Sequence, residues 1–293
     1  MKKLIAIVGP TASGKSGVAK FVVDSLPNIE AISIDSRQVF KGLDIGTGKD
    51  KTFFQHLIDI KNPGESISVV EFQKTALKTV KEIYSRNKTP ILVGGSNYYM
   101  DSIIYKRKFP KVENDKKLSN ELNNKTADEL FEILQTLDPK RAEYIDVKNK
   151  RRLVRALEIN MLTSKNTIEK EKVLNKNYRF KTMILGVEVE REKLYKNINK
   201  RVEERINEGM VKEVRDLISK KVPKSWLKKL GLEYQIITEY LEAKCTKEEM
   251  IQILKYRIHA FARRQLTWLR SNKDIVWIRD KKEALKQVQG FVL

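Results

Sequence analysis

The chain is short of the residues that build redox and metal centres. It has one cysteine, Cys245, among 293 residues, which excludes an internal disulfide. Its two histidines, His56 and His259, are scattered and offer no zinc cluster. No apolar run approaches the roughly 20 residues that a membrane-crossing helix needs. The apolar start "MKKLIAIVGP" is cut off by Gly9-Pro10, too early for a secretory leader, and reads better as a first buried strand. With 13 glycines and 7 prolines there is no low-complexity tract, and no internal repeat stands out. These absences point to a cytoplasmic globular protein with no membrane partner, taken as a monomer.

Acid is also in short supply. Lys and Arg total 59 against 38 Asp and Glu, a net charge of +21. The first hundred residues contribute only +5, so the remaining 193 carry +16. That excess favours a polyanionic partner, because each neutralised phosphate releases condensed counterions. The plainer alternative is a lysine-rich set of solvated faces. Hydrophobic residues make up 41%, and the length suffices for one large or two smaller cored domains.

Periodicity supplies the organisation. Leu4–Val8 is a short, β-branched, apolar run, and Ser16–Leu26 repeats its apolar residues at helical spacing. Ala31–Ile34 and "HLIDI" (56–60) read as strands, Val69–Tyr84 as a helix, and "ILVGG" after Pro90 as another strand. Strands alternating with helices predict an α/β fold: a doubly wound parallel sheet with ligands at the carboxyl ends of its strands. From about residue 106 the chain turns charged and helical, with Asp138-Pro139 starting a helix. A helical insertion is expected over 111–145, with 1–110 and 146–293 forming the core. "RFKTMILGVEVE" (179–190) reads as one more core strand, followed by a helical carboxyl region and a closing "DIVWIRD".

Gly9-Pro10-Thr11-Ala12-Ser13-Gly14-Lys15-Ser16 fits G-x-x-x-x-G-K-[ST], between a predicted strand and a predicted helix. This P-loop pattern, best known for holding ATP and GTP, turns backbone N–H groups and a helix N-terminus towards phosphate oxygens. Lys15 adds a point charge and the Ser16 hydroxyl suits Mg²⁺. The pattern does not specify which phosphorylated molecule is held. Asp35 emerges from the second strand at the same sheet end, in "SIDSRQVFKGLDIGTGK" (33–49). It suits a carboxylate holding Mg²⁺ through water, a general base, or a plain cap. "LVGGSNYY" (92–99) is a third turn, with Ser96 and two tyrosines. In "NKRRLVRALEI" (149–159), helical spacing sets Arg151 and Arg155 on one face with Arg152 adjacent, and turns Leu153, Val154 and Leu157 elsewhere. "YRIHAFARRQLTWLR" (256–270) interleaves Arg257, Arg263, Arg264 and Arg270 with Tyr256, Phe261 and Trp268. That mixture suits RNA, and equally an amphipathic core helix with a basic rim. Arg201 and Arg205 either reach a diphosphate or pair with Glu204 or Glu208; spacing leaves both open.

Taken together, "GPTASGKS", "IDSRQVFKGLDIGT", "LVGGSNYY", "RRLVRALEI", "EVRDLI" and "ARRQLTWLR", in this order from residue 9 to 270, resemble the tRNA dimethylallyltransferase family. The resemblance implies a P-loop that holds dimethylallyl diphosphate with Mg²⁺, and transfer of the allyl group to N6 of adenosine 37 beside the anticodon. It implies that Asp35 is the base at the adenine amine. It also implies that Lys15, Thr11 and Arg201 contact the diphosphate together with the rest of the loop 9–16, and that Ser16 ligates Mg²⁺. Asp35, Ser36, Arg37, Gln38, Ser96 and the run Arg151, Arg152, Leu153, Val154, Arg155 match positions where the family touches the anticodon stem-loop of tRNA. "GLEYQI" (231–236) departs from the family's pattern there, which leaves its role open.

Two rivals share parts of this pattern. A P-loop kinase of a nucleoside or small metabolite has the same loop and alternating strands, but leaves the basic carboxyl half unexplained. A prenyltransferase acting on free AMP or ADP needs no extended basic surface.

Overall fold

A computed structural model of the chain describes residues 1–107, 109–110, 115–163 and 177–293. Residues 111–114, the start of the insertion expected from sequence, lie outside the described residues. In chain order the elements are β1 (Lys3–Val8), α1 (Lys15–Ser25), β2 (Ile29–Ser33), β3 (Gln55–His56), α2 (Val69–Ser85), β4 (Thr89–Gly94) and α3 (Asn97–Ile104). Next come α4 (Lys116–Asn124), α5 (Ala127–Leu137), α6 (Pro139–Ala142), α7 (Lys150–Thr163) and β5 (Lys181–Val187). The last are α8 (Arg191–Asn207), α9 (Met210–Ser219), α10 (Lys224–Leu230), α11 (Leu232–Leu241), α12 (Lys247–Ser271), β6 (Ile275–Ile278) and α13 (Lys281–Val292).

The chain divides into two compact units, Met1–Tyr105 with Tyr178–Leu293, and Lys106–Asn177. The first is built on a six-stranded, all-parallel sheet in the order β3-β2-β4-β1-β5-β6. Its central strands read as continuous apolar runs because helices cover both faces, so alternation has nothing to mark. In β1, Leu4, Ala6 and Val8 join the cluster on one face, while Ile5 and Ile7 join the other. Helix α2 is capped by Ser68, whose hydroxyl accepts the Glu71 N–H, and buries Phe72, Ala76, Val80 and Ile83. The chain leaves β1, crosses to β2 through α1, and later returns to β4 between them, which opens a crevice at the strands' carboxyl ends.

"HLIDI" differs from expectation: the strand stops at His56, since Leu57 (φ 68°) and Asp59 (φ 58°) take left-handed backbone conformations. The turn delivers the Asp59 carboxylate to Lys49, whose side chain is wholly buried and also bonded to Asp44 at 2.8 Å. A buried ammonium needs such partners, and here that need outweighs strand propensity.

The second unit packs α4, α5, α6 and α7 around Leu122, Leu130, Leu134, Leu153, Val154 and Leu157. Thr126 and Glu129 form a reciprocal capping box at the start of α5, and Asp138 caps α6 ahead of Pro139. The boundary expected at 145 is therefore corrected. Helix α7 belongs with the helical unit rather than the core, because its apolar face packs on α4 and α5.

Candidate functional site

Three turns meet at the carboxyl end of the first unit's sheet: the glycine loop after β1, the Asp-Ser turn after β2, and the Gly-Gly turn after β4. With α8, α11 and α12 they line a cleft of about 350 Å³, whose walls include Thr11, Asp35, Ser36, Arg37, Ser96 and Arg201. Residues distant in sequence thus converge as expected.

The glycine loop is set up for an anion. Gly14, in the left-handed region at φ 85°, precedes α1, and no side chain caps that helix. Its first amides therefore lack a side-chain partner, and they carry the positive end of the helix dipole. The Ser13 hydroxyl is buried without a hydrogen-bond partner among the described residues. Lys15 lies over the loop with Nζ 3.4 Å from the Pro10 carbonyl. Burial, and secondly the charge of Arg201, push the Lys15 ammonium down to about 8. From α8, the Arg201 guanidinium donates to the Thr11 hydroxyl. Burial, and then the neighbouring Arg205, lower Arg201 to about 9. Both groups remain cationic at pH 7. Among the described residues neither is ion-paired to a carboxylate. Two desolvated cations beside free amides define a place for a multiply charged anion.

Asp35 is half-buried. One carboxylate oxygen accepts the Arg37 N–H at 2.9 Å, a turn that starts no helix; the other has no hydrogen-bond partner among the described residues. The segment that follows the turn, at 44–46, is held by Arg205 together with Glu213 and Tyr234, two side chains that the sequence reading did not single out. Glu213 of α9 accepts the N–H groups of Asp44 (2.8 Å), Ile45 (2.7 Å) and Gly46 (3.1 Å), and the Tyr234 hydroxyl donates to it at 2.8 Å. Arg205 donates to the Gly46 carbonyl at 3.3 Å and lies 3.8 Å from the buried Glu233. Thus "GLEYQI" acquires a role: from α11, Glu233 and Tyr234 brace the Asp-Ser turn and the segment that follows it. Arg201 reaches the loop, Arg205 braces that segment, and neither pairs with Glu204 or Glu208.

Some expected contact residues are otherwise engaged. Arg37 donates to Glu233 at 3.2 Å. The Gln38 carboxamide accepts from the Ser33 hydroxyl at 2.7 Å and donates to the Thr47 and Gly48 carbonyls at 3.3 Å, which makes it an internal staple. Ser36 lines the cleft together with Tyr99, whose phenol burial shifts upward. Ser96 lines the cleft ahead of α3.

In the second unit, Arg151, Arg152 and Arg155 are exposed on α7. Arg155 is paired with Glu158 at 2.9 Å, whereas Arg151 and Arg152 have no acidic partner among the described residues. Leu153 and Val154, expected at a contact surface, are corrected: their side chains are 0% and 6% exposed and fill the unit's core. On α12, the stretch is an amphipathic core helix with a basic rim. Met250, Leu254, Ile258, Ala262 and Leu269 are buried, while Arg257, Arg263, Arg264 and Arg270 stand on the exposed rim.

The described residues hold no group of three or more His, Cys, Asp or Glu able to bind a metal ion, and none of their helices is long and apolar enough to cross a membrane.

A family model described as IPP transferase matches residues 38–272. The chain is 38% identical over 288 residues to a tRNA dimethylallyltransferase of Acetivibrio thermocellus, covering 95% of this chain and 92% of that protein. It is 38% identical over 290 residues to one of Finegoldia magna, with 96% and 92% coverage. Among solved structures it is similar to the full-length tRNA isopentenylpyrophosphate transferase of Bacillus halodurans, with a TM-score of 0.73 and 33% identity over 100% of this chain and 96% of that one. A eukaryotic dimethylallyltransferase acting on tRNA matches with a TM-score of 0.81 and 26% identity, covering 95% of this chain and 74% of that one.

Proposed function

The chain belongs to the IPP transferase family and is an enzyme that passes a dimethylallyl group to adenosine 37 of tRNA; we propose that it does so by gripping dimethylallyl diphosphate in the glycine loop while Asp35 faces the adenine amine. One observation carries this reading. Lys15 and Arg201, neither ion-paired among the described residues, act on the same loop, while Asp35, on the cleft wall with Arg201, keeps a carboxylate oxygen without a hydrogen-bond partner among those residues.

Cleaving the allylic C–O bond leaves negative charge on the diphosphate and cation character on the carbon. Lys15, Arg201, the Thr11 hydroxyl and the backbone N–H groups at the start of α1 stabilise the first of these without reorganising, in a partly buried cleft. The exocyclic adenine amine is a weak nucleophile, since its lone pair is delocalised into the ring. Asp35 accepts a hydrogen bond from the amine and takes its proton as the C–N bond forms. The base must first leave the anticodon-loop stack, at roughly a few kcal/mol. The open oxygen of Asp35, with Ser36 and Ser96 on the cleft wall, supports this as the entry face for the base. On α7, Arg151, Arg152 and Arg155 supply phosphate contacts.

The loop suits Mg²⁺, which binds through substrate phosphates, water and one or two protein oxygens rather than a carboxylate cage. The hydroxyl of Ser16 would hold it, and the unpartnered hydroxyl of Ser13 belongs to the same cradle. When bound, the ion would neutralise charge on the leaving diphosphate.

Asp35→Ala tests the base. It should lower transfer to tRNA by about 10³-fold, within the range for loss of a general base, while dimethylallyl diphosphate binding by calorimetry stays within about threefold. Undiminished turnover would remove Asp35 from the chemistry.

A further inference from the structure

Gln265, on α12 in the first unit, is 6% exposed and makes two bonds across the cleft floor. Its Oε1 accepts the Thr11 backbone N–H at 2.9 Å, and its Nε2 donates to the Gly95 carbonyl at 2.8 Å. One carboxamide therefore joins the loop that takes the diphosphate to the turn that carries Ser96. The packing around it leaves no slack. A Cβ at Gly95 would lie 2.5 Å from Gln265 Nε2 and 2.9 Å from the Gly9 carbonyl oxygen. The loop needs such outside support at this point. Ala12, the next residue, is in the left-handed region at φ 63°, which a side chain disfavours. Besides Gln265, Asn197 of α8 donates to the Ala12 carbonyl at 3.3 Å, and Arg201 holds the Thr11 hydroxyl.

We infer that Gln265 is a positioning residue, a clamp that fixes the spacing between the donor loop and the Gly-Gly turn on the acceptor side, where the Val93 carbonyl accepts the Ile34 N–H at 2.7 Å next to Asp35. This rests on the function proposed above. A carboxamide suits the task because it is a donor at one end and an acceptor at the other, in a fixed plane. Its effect falls on alignment rather than on binding: either substrate still finds its own loop, but the allylic carbon and the amine no longer meet at reacting distance. A misplacement of about 1 Å can cost about 10²-fold in rate.

The test uses the full chain with labelled dimethylallyl diphosphate and unmodified tRNA, and compares wild type, Gln265→Met and Gln265→Glu. Gln265→Met keeps the volume and loses both bonds. It should lower kcat by about 100-fold, with Kd for the donor and for tRNA each within about threefold of wild type. Gln265→Glu is the informative variant, since burial raises the pKa of a carboxyl. Protonated, it restores both the donor and the acceptor; ionised, it repels the Gly95 carbonyl. Its kcat relative to wild type should therefore recover as pH falls from about 8 to 5.5, whereas a residue that merely fills space would leave a pH-independent deficit. The clamp is overturned if Gln265→Met turns over within threefold of wild type, if its loss lies wholly in donor Kd, or if the Gln265→Glu deficit does not change with pH. Should Gln265→Met fail to fold, the Gln265→Glu profile decides alone. A wild type that transfers no label overturns the proposed function, and the clamp with it; active wild type beside unaffected variants overturns the clamp only.

Discussion

Arg201 and Arg151 are the same amino acid in opposite circumstances. Arg201 is half-buried in the cleft of the first unit, lowered to about 9, and committed to the Thr11 hydroxyl. Arg151 stands exposed on α7 of the second unit without an acidic partner among the described residues. A cation held out of water and unpaired costs stability until an anion arrives, so it contributes a short-range, geometrically exacting grip. An exposed cation costs little and contributes a long-range attraction that salt screens. The two units thus hold two kinds of positive charge, which the proposed function assigns to a small diphosphate and to a polyanion. The net charge of +21 does not distinguish them.

The comparison can be broken at Lys15, where the larger effect is expected. Its pKa in the free protein is about 8, and a diphosphate binds the protonated form. Donor affinity, followed by calorimetry, should be flat from pH 7 to 7.5 and then fall, approaching tenfold per unit above pH 8. Lys15→Arg should remove the break, because guanidinium stays protonated there. The sign for folding is opposite. The unfolded chain binds the extra proton between about 8 and 10.5, so relative to Lys15→Met the unliganded protein should gain stability as pH rises through that window.

A smaller effect sharpens the other side. Replacing Arg151 and Arg155 with Ala should weaken tRNA binding several-fold and flatten the slope of log K against log salt by up to about 2, since each phosphate contact contributes roughly 0.7 to 0.9. Arg151→Ala alone should account for more of this than Arg155→Ala, whose guanidinium already shares charge with Glu158. An unchanged slope would take α7 out of the interface.

What was legible in the sequence follows the same division between local and distant. The glycine loop, the strand before it and the helix after it are set by neighbours within twenty residues, and their spacing reveals them. Asp35 and Ser96 were legible because the end of an apolar strand in a parallel sheet marks a ligand edge. Glu213, Glu233 and Gln265 were not, since each bonds a partner more than 160 positions away, as Gln265 does across 254 to Thr11 and Glu233 across 196 to the Arg37 side chain. No local period encodes that. Only the family's Arg-Arg-Gln-x-Thr-Trp-Leu-Arg pattern flagged the stretch around Gln265, and there the arginines drew the reading. Leu153 and Val154 failed for the opposite reason: they sit within a motif whose arginines face out, and helical alternation turns their own side chains inward. The end of β3 failed because a buried lysine, Lys49, called Asp59 out of the strand.

The central claim is that the glycine loop holds a diphosphate whose carbon, not its phosphorus, is handed over. The direct measurement incubates the protein and unmodified tRNA with Mg²⁺ and either dimethylallyl diphosphate labelled in its carbon or ATP labelled at its γ-phosphate. The account predicts carbon label on adenosine 37 and no phosphorus label on any acceptor. Phosphorus label on tRNA, a nucleoside or a small metabolite, with carbon label left unbound, would contradict it.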